Sequence, residues 1–488
     1  MSNSRPFLLA IDVGTSSLKA VLYNRTGRTL DFAGKRYGYT TPQPGWAEAD
    51  PNDWWNALVD ALEEMRARRA GLEQVEIIAL TGQMHTGVLL DEHGEPLSPT
   101  ILWLDRRAAA ETLALQQRLG LPPYQLNSTY TLPKLAWMAK HRPQTLQQTR
   151  TLMWPKDYLR YRLTGRIATD YTEAGGASLL DWERRTWAPQ RLIDLGIDPG
   201  ILPPIFTPET DAGPLLPAIA HQLGLNPQAR IITGAGDVRA LISAAPLAPG
   251  RVSCSLGSSS MVFAPLLSGQ VLEDPQHRLY TYPLLPYPML GGVSSTTGAA
   301  LQWAWQAFCC NETFDEAIQG ALGTPPGAEG AFFLPFLSGE RSPFWSDALR
   351  GGFYGLGLAQ GRYHLLRAVM EGVAFSLRYL LDVFAELHVD IHEIALSAGG
   401  AQTPGWAQMI ADVCQKTVLV YSGRETVTHS LYAYACTVAA PGEPFEEALL
   451  RTFDRPQQCT PDPQTAGVYQ PIYERYVRLS QFVHQALV

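Results

Sequence analysis

The chain has 488 residues, of which 46% are apolar and 17% charged, and carries a formal net charge of −8. Its length exceeds what one hydrophobic core serves, so two large domains are expected. An acidic balance without a basic stripe excludes a nucleic-acid groove, and no run approaches the roughly 18 apolar residues of a membrane span. The opening Met1-Ser2-Asn3-Ser4-Arg5-Pro6 lacks a signal-peptide core, so a cytoplasmic protein is expected. Six cysteines, at 254, 309, 310, 414, 436 and 459, form no CxxC pair and have no His at zinc-finger spacing. Buried reduced thiols are expected, not disulfides or a metal site.

In chain order, residues 7–12 and 18–23 predict two strands joined by Gly14-Thr15-Ser16-Ser17, a turn whose small residues let backbone N–H groups approach an anion. A third strand runs to about 37, followed by the Pro/Gly-rich Thr41-Pro42-Gln43-Pro44-Gly45-Trp46. Residues 52–69 predict a helix with Trp55, Leu58, Val59 and Leu62 facing a sheet. Residues 75–80 predict a strand buried on both faces. It ends at Thr81-Gly82-Gln83-Met84-His85, where open α/β sheets bind ligands. Between 104 and 230 the pattern is mostly helical with Pro-rich connections, as in an insertion that shapes a pocket. A short strand at 230–233 then runs into Gly234-Ala235-Gly236-Asp237, and Pro246-Leu247-Ala248-Pro249-Gly250 marks a boundary between domains 1–247 and 248–488.

The second half repeats the first. Cys254-Ser255-Leu256-Gly257-Ser258-Ser259-Ser260 echoes Ile11-Asp12-Val13-Gly14-Thr15-Ser16-Ser17 about half a chain later, so two related halves are expected, whose turns could together hold a polyphosphate. Helices follow at 297–308, 363–384 and 404–414, with strands at 332–334 and 394–397. The last strand leads through Ala398-Gly399-Gly400-Ala401 into a helix N-terminus, a corner suited to a nucleotide. Trp- and Leu-rich helices such as 301–308 leave core packing and a homodimer interface both open.

Two segments carry a resemblance. Gly351-Gly352-Phe353-Tyr354-Gly355-Leu356, then seven residues, then His364-Leu365-Leu366-Arg367-Ala368-Val369-Met370-Glu371, reproduces a family signature, and Phe336-Leu337-Ser338-Gly339-Glu340-Arg341-Ser342-Pro343 is similar to another. The chain thus resembles the FGGY carbohydrate kinase family over nearly its whole length. The resemblance implies an α/β fold of two duplicated ribonuclease H-like domains, of the actin/hexokinase ATPase type, around a central cleft that closes on its substrates. It also implies an ATP-dependent kinase that uses Mg²⁺, with a small-molecule sugar in the first domain and ATP in the second.

On that resemblance, Asp237 is the candidate general base, because phosphoryl transfer to an alcohol needs a carboxylate in reach of the hydroxyl. Asp12 is the candidate Mg²⁺ holder, acting through the ion's water shell, although an Asp capping a tight turn explains it too. Met84 and His85 match the pair that contacts a ketopentose where glycerol kinases carry Arg-Glu: a thioether offers an apolar wall and an imidazole can bond hydroxyls. D-Xylulose is the first acceptor implied, with ribulose, another ketose, a polyol or an autoinducer-type diketone as alternatives. Gly14, Thr15 and Ser16 from the first half, and Gly257 and Ser258 from the second, would cradle phosphates. Gly298, Gln302, Gly399 and Gly400 resemble ATP-contacting positions. Trp103, Asp105 and Arg107 form a family-like W-x-D-x-R pattern that an ion pair at a helix start explains equally well.

Some positions depart from the pattern. Val238 replaces an Asn that would reach the sugar, Thr129 interrupts a signature, and Ser430 and Tyr432, in the segment beginning at Glu425, stand where Gly and Ala are usual. These side chains either crowd the adenine corner or repack it. A non-catalytic sensor and an actin-like ATPase are the rival readings on the same scaffold.

Overall fold

The computed structural model describes residues 7–242, 245–266, 272–282, 288–346, 348–421 and 426–487. Strand Leu8–Val13 pairs antiparallel with Ser17–Tyr23, and that strand pairs antiparallel with Thr29–Arg36. On its other side Leu8–Val13 runs parallel to Ile77–Gly82, which runs parallel to Arg230–Ile232; Asp211–Pro214 closes the edge antiparallel. In the second half, Arg251–Leu256 pairs antiparallel with Ser260–Pro265, and that with Met289–Ser294. On its other side Arg251–Leu256 runs parallel to Glu393–Ser397, which runs parallel to Thr417–Val420; Gln457–Cys459 closes the edge antiparallel. Six strands therefore correspond in order and direction. The duplication legible in the two hairpin turns extends through both sheets, each with the strand order of a ribonuclease H-like core.

Burial explains the strand sequences. Leu8–Val13 and Ile77–Gly82 are buried at every position, as central strands covered on both faces require. The helix Pro51–Ala67 starts where Asp50 accepts from the Asn52 amide with Pro51 at the first turn, and it buries Trp54, Leu58, Ala61, Leu62 and Met65 along one stripe. These join Leu9, Ile11, Leu80 and Ile231 in one core. The corresponding core of the second half collects Val252, Leu256 and Leu396 with Val369, Val373 and Phe375 of the 25-residue helix Arg362–Glu386.

Residue contacts divide the chain into one unit of Met1–Leu241 with Val427–Thr452, and another of Ile242–Thr426 with Phe453–Val488. The first boundary lies near the 247/248 position expected from sequence, but the helix Thr426–Ala439 belongs largely to the first unit. Tyr432 shows why: it is fully buried, its ring packs on Tyr23 at 5.6 Å and its hydroxyl donates to the Arg25 carbonyl at 3.0 Å. The large residue at 432 thus packs against the first hairpin, while Ser430 bonds within its own helix, to the Val427 carbonyl at 2.9 Å. Glu425 lies outside the described residues.

The 104–230 segment is less uniformly helical than its pattern predicts. Helices Thr131–His141 and Pro155–Thr164 are present, but so are short pairs, Thr169–Asp170 with Ile205–Phe206 and Leu180–Asp181 with Thr186–Trp187. All six cysteines are free, and Cys310 is exposed, contrary to the expectation that all are buried. Among the described residues, no helix is long and apolar enough to cross a membrane.

Gly234 illustrates a position that only glycine fills. Its φ is +75°, and a Cβ there would lie 2.0 Å from the Leu80 carbonyl oxygen. Gly234→Ala should lower unfolding stability by at least ~1–3 kcal/mol, read as a lower denaturant midpoint. An unchanged midpoint would contradict this account of the turn.

Candidate active site

The first turn is fastened from three sides. The Gly14 amide donates to the Ser17 carbonyl at 3.0 Å, which closes the turn. The Gly14 carbonyl accepts from the Tyr37 hydroxyl at 2.6 Å and from Gln83 Nε2 at 3.3 Å, and the Thr15 hydroxyl accepts from Trp103 Nε1 at 2.9 Å. Ser16 remains exposed at the tip. Asp12 precedes this turn, 8% exposed, beside Thr81 of the neighbouring parallel strand. Burial, then the charge of Asp12, raises the proton affinity of Tyr37, so the phenol stays a neutral donor.

Asp237 opens the short helix Asp237–Ile242, directly after Ala235–Gly236, which pairs with Thr81–Gly82. The parallel register thus sets Asp237 and the Met84–His85 loop at the same end of the sheet as Asp12. Burial first, and the like charge of Asp12 second, push the Asp237 carboxyl from 3.8 up to about 7, against amide hydrogen bonds from Val238 and Met84. Asp237 is only half-buried, so it is open to a ligand.

Met84, 2% exposed, fills the space left by two glycines. A Cβ on Gly236 would meet its Sδ at 2.6 Å, and one on Gly176 its Cε at 2.4 Å. His85 is half-buried with φ +66°, an uncommon conformation for a residue with a Cβ. The loop is locked by its neighbours: His85 Nδ1 lies 2.5 Å from the Gly176 carbonyl and the ring meets Tyr130 edge-on, while the His85 carbonyl accepts from Thr131 Oγ1 and Lys134 Nζ, each at 3.1 Å. Lys134 also donates to the Thr129 carbonyl at 2.7 Å, and burial pulls its ammonium well below the ordinary lysine range.

In the W-x-D-x-R pattern, Trp103 reaches the turn, whereas Asp105 and Arg107 form a buried ion pair at 2.8 Å. Arg107 also pairs with Glu48 at 2.7 Å and lies 3.6 Å over the Trp46 ring. Those two residues brace the domain and do not face the site.

Behind Asp237 lies a knot of charge that sequence reading missed. Lys156, Asp157, Arg160, Asp170 and Glu173 are all fully buried. Lys156 Nζ pairs with Asp157 at 2.7 Å and Asp170 at 3.0 Å, and Arg160 pairs with Asp157 at 2.9 Å. Neither carboxyl oxygen of Glu173 has a hydrogen-bond partner among the described residues. With two cations against three acids, burial raises the proton affinity of the Glu173 carboxyl well above the ordinary carboxylate range. No pattern in the sequence marks it: the charged residues of the helix Pro155–Thr164 read as a solvated face, yet Lys156, Asp157 and Arg160 are buried.

In the second unit, the Gly257 amide donates to the Ser259 carbonyl at 3.0 Å, the counterpart of the Gly14 closure. This turn packs on the start of the helix Gly298–Phe308: the Gly298 amide donates to the Gly257 carbonyl at 2.8 Å, and those of Thr297 and Ala299 to the Ser258 carbonyl at 2.9 and 3.2 Å. A Cβ on Gly298 would lie 2.5 Å from the Gly257 oxygen, and one on Gly400 would lie 2.7 Å from the Leu256 oxygen. Gly257, Ser258, Gly298 and Gly400 therefore meet at the carboxyl end of one strand, with Gly399 beside them in open space and Gln302 exposed one turn along the helix. Ala398, with φ +70°, ends the adjacent parallel strand. Glu340 braces the approach to this corner by accepting from Ser294 Oγ at 2.8 Å and the Ser295 amide at 2.6 Å; burial pushes its carboxyl up to about 7.

Residues 7–242 match the FGGY family of carbohydrate kinases, N-terminal domain, and residues 252–429 match its C-terminal domain. The chain belongs to the FGGY family. It is 31% identical over 480 residues to a xylulose kinase of Escherichia coli, covering 97% of this chain and 98% of that one. It is 29% identical over 484 residues to a xylulose kinase of Bacillus subtilis, covering 96% of each. A solved xyloylose kinase from Brucella ovis superposes with a TM-score of 0.88 at 28% identity, covering 98% of this chain and 99% of that one. As an FGGY enzyme the chain is an ATP-dependent sugar kinase on the actin/hexokinase-type fold.

The raised proton affinity of Glu173 makes a test. A carboxyl whose proton affinity is raised on folding stabilises the fold below about pH 4.5 and costs stability as pH rises through its folded value. Glu173→Gln keeps the shape and removes the titration. The variant should melt at or above the wild type at pH 8, with the difference gone by about pH 4; a variant that loses stability specifically at pH 8 would contradict the assignment.

Proposed function

We propose that this FGGY kinase transfers the γ-phosphoryl group of ATP to the terminal hydroxyl of D-xylulose, giving D-xylulose 5-phosphate and ADP. The observation that carries the chemistry is Asp237: a carboxylate at the carboxyl end of the sheet whose proton affinity, near 7, suits a base working at neutral pH. The acceptor is supported by full-length similarity to xylulose kinases and by the Met84–His85 pair at the end of the adjacent strand.

In this mechanism Met84 walls the sugar, and His85, oriented by the Nδ1 contact with the Gly176 carbonyl, borders the sugar's hydroxyls. Asp237 accepts the hydroxyl proton as the sugar oxygen attacks the γ-phosphorus and ADP departs. The amides of the Gly14–Thr15–Ser16 turn and of the Gly257–Ser258 turn are the proposed phosphate cradles; Gly298, Gln302, Gly399 and Gly400 are the remaining nucleotide contacts. Positioning and charge stabilisation, not covalent chemistry by the protein, supply the rate.

Asp12 fits a Mg²⁺ ion. Asp12 is an acidic oxygen ligand beside the phosphate-facing turn, its charge felt at Asp237, and the described residues offer no cluster of three or more acidic, His or Cys side chains. That donor set suits an ion that keeps most of its water shell and is held by Asp12. When bound, Mg²⁺ would neutralise phosphate charge. Val238, which cannot donate to a hydroxyl, is the reason to keep ribulose beside xylulose in any acceptor panel.

With a base of this kind, kcat/KM for the sugar should fall as pH drops through about 7, because protonated Asp237 cannot accept. Asp237→Asn should lower kcat by ~10²–10⁴ and leave nucleotide affinity nearly unchanged. An ADP-release assay across pH measures both. An Asn variant with wild-type turnover, or a flat profile from pH 5.5 to 8, would overturn the proposal.

A further inference from the structure

The buried knot is connected to the turn that carries Asp237 at two points. Arg160 donates to the Thr233 carbonyl at 3.1 Å, at the entry of the Thr233–Gly236 turn. At its exit, the Gly236 amide donates to the Thr172 hydroxyl at 2.8 Å, and that hydroxyl donates to an Asp170 carboxylate oxygen at 2.5 Å. The other oxygen of Asp170 pairs with Lys156. Thr172 is 4% exposed and lies on the short helix Tyr171–Gly176, whose N-cap is Asp170.

This geometry has a specific consequence. Gly236 immediately precedes Asp237, so its amide position sets where the Asp237 backbone starts. A hydroxyl is needed to link them, because Gly236 offers a donor and Asp170 an acceptor; only a group that both accepts and donates fits between. Asp170 cannot shift toward Gly236 without leaving Lys156, and Lys156 is held in turn by Asp157, which Arg160 grips.

We infer that Thr172 is a positioning residue for phosphoryl transfer: its hydroxyl ties the Ala235–Gly236 peptide, one residue before Asp237, to the Lys156–Asp170 ion pair and so fixes the general base against the acceptor hydroxyl. The inference rests on the assignment of Asp237 as the base. Thr172 itself does no chemistry. Its effect falls on the reacting geometry, where a displacement of about 1 Å can cost ~10²-fold.

The test compares Thr172→Val, which keeps the shape and loses the link, with Thr172→Ser, which keeps the hydroxyl, and with Thr172→Cys, whose thiol accepts weakly. Asp237→Asn serves as reference, all in the full-length enzyme with D-xylulose and Mg²⁺·ATP. The expected result is a kcat ~10–100-fold lower for Val, within about threefold of wild type for Ser, and intermediate for Cys, with KM for ATP unchanged within about twofold in all three. Wild-type kcat in Thr172→Val would overturn the inference, as would equal losses in Val and Ser. Should the Val protein not fold, Ser and Cys decide: indistinguishable kcat values for those two overturn it. Full turnover in Asp237→Asn would instead remove the base assignment, an outcome distinct from a failure of Thr172 alone.

Discussion

Two carboxylates that repel each other organise the first unit. Asp12 lies on Leu8–Val13 and Asp237 directly after Ala235–Gly236, the two strands that flank Ile77–Gly82; Asp12 is buried and Asp237 half-buried. Raising the Asp237 carboxyl from 3.8 to about 7 corresponds to roughly 4 kcal/mol in favour of its neutral form. An arrangement whose purpose was stability would separate the pair or match it with an arginine. Here the cost is retained, and it yields a carboxylate basic enough to take a proton from an alcohol near neutral pH.

Holding that arrangement takes rigid surroundings, and the structure supplies them by two means. One is backbone strain absorbed where the chain leaves a central strand: His85, after Ile77–Gly82, adopts positive φ. The other is buried ionic bracing. Breaking such a network by removing one partner leaves an unpaired charge in low dielectric, so the Lys156 knot behind Asp237 has little freedom to yield. Within it, burial raises the proton affinity of Glu173, which also feels the charge of Asp237.

Much of this was legible in the residues. The repeated Gly-Ser turns marked the duplication, and the strand patterns placed Asp12, Met84 and Asp237 at strand ends, because hydrophobic period and turn chemistry are local properties. What stayed hidden depends on distant contacts. Trp103 and Tyr37 fasten the Gly14 turn from 88 and 23 residues away along the chain, and nothing in their spacing announces it. The charged residues of Pro155–Thr164 look like a solvated face, yet Lys156, Asp157 and Arg160 point inward. Thr426–Ala439 lies within the second half of the sequence but packs with the first, because Tyr432 found a partner in Tyr23. No pattern within the helix could show that.

The account stands on where one carboxyl meets one hydroxyl. A crystal structure of the wild-type enzyme with D-xylulose and a non-hydrolysable ATP analogue measures that contact directly. The terminal hydroxyl oxygen is predicted to lie within about 2.6–3.2 Å of an Asp237 carboxyl oxygen, with Met84 and His85 against the sugar chain. A sugar bound with that hydroxyl remote from Asp237, and beside another side chain able to accept its proton, would contradict it.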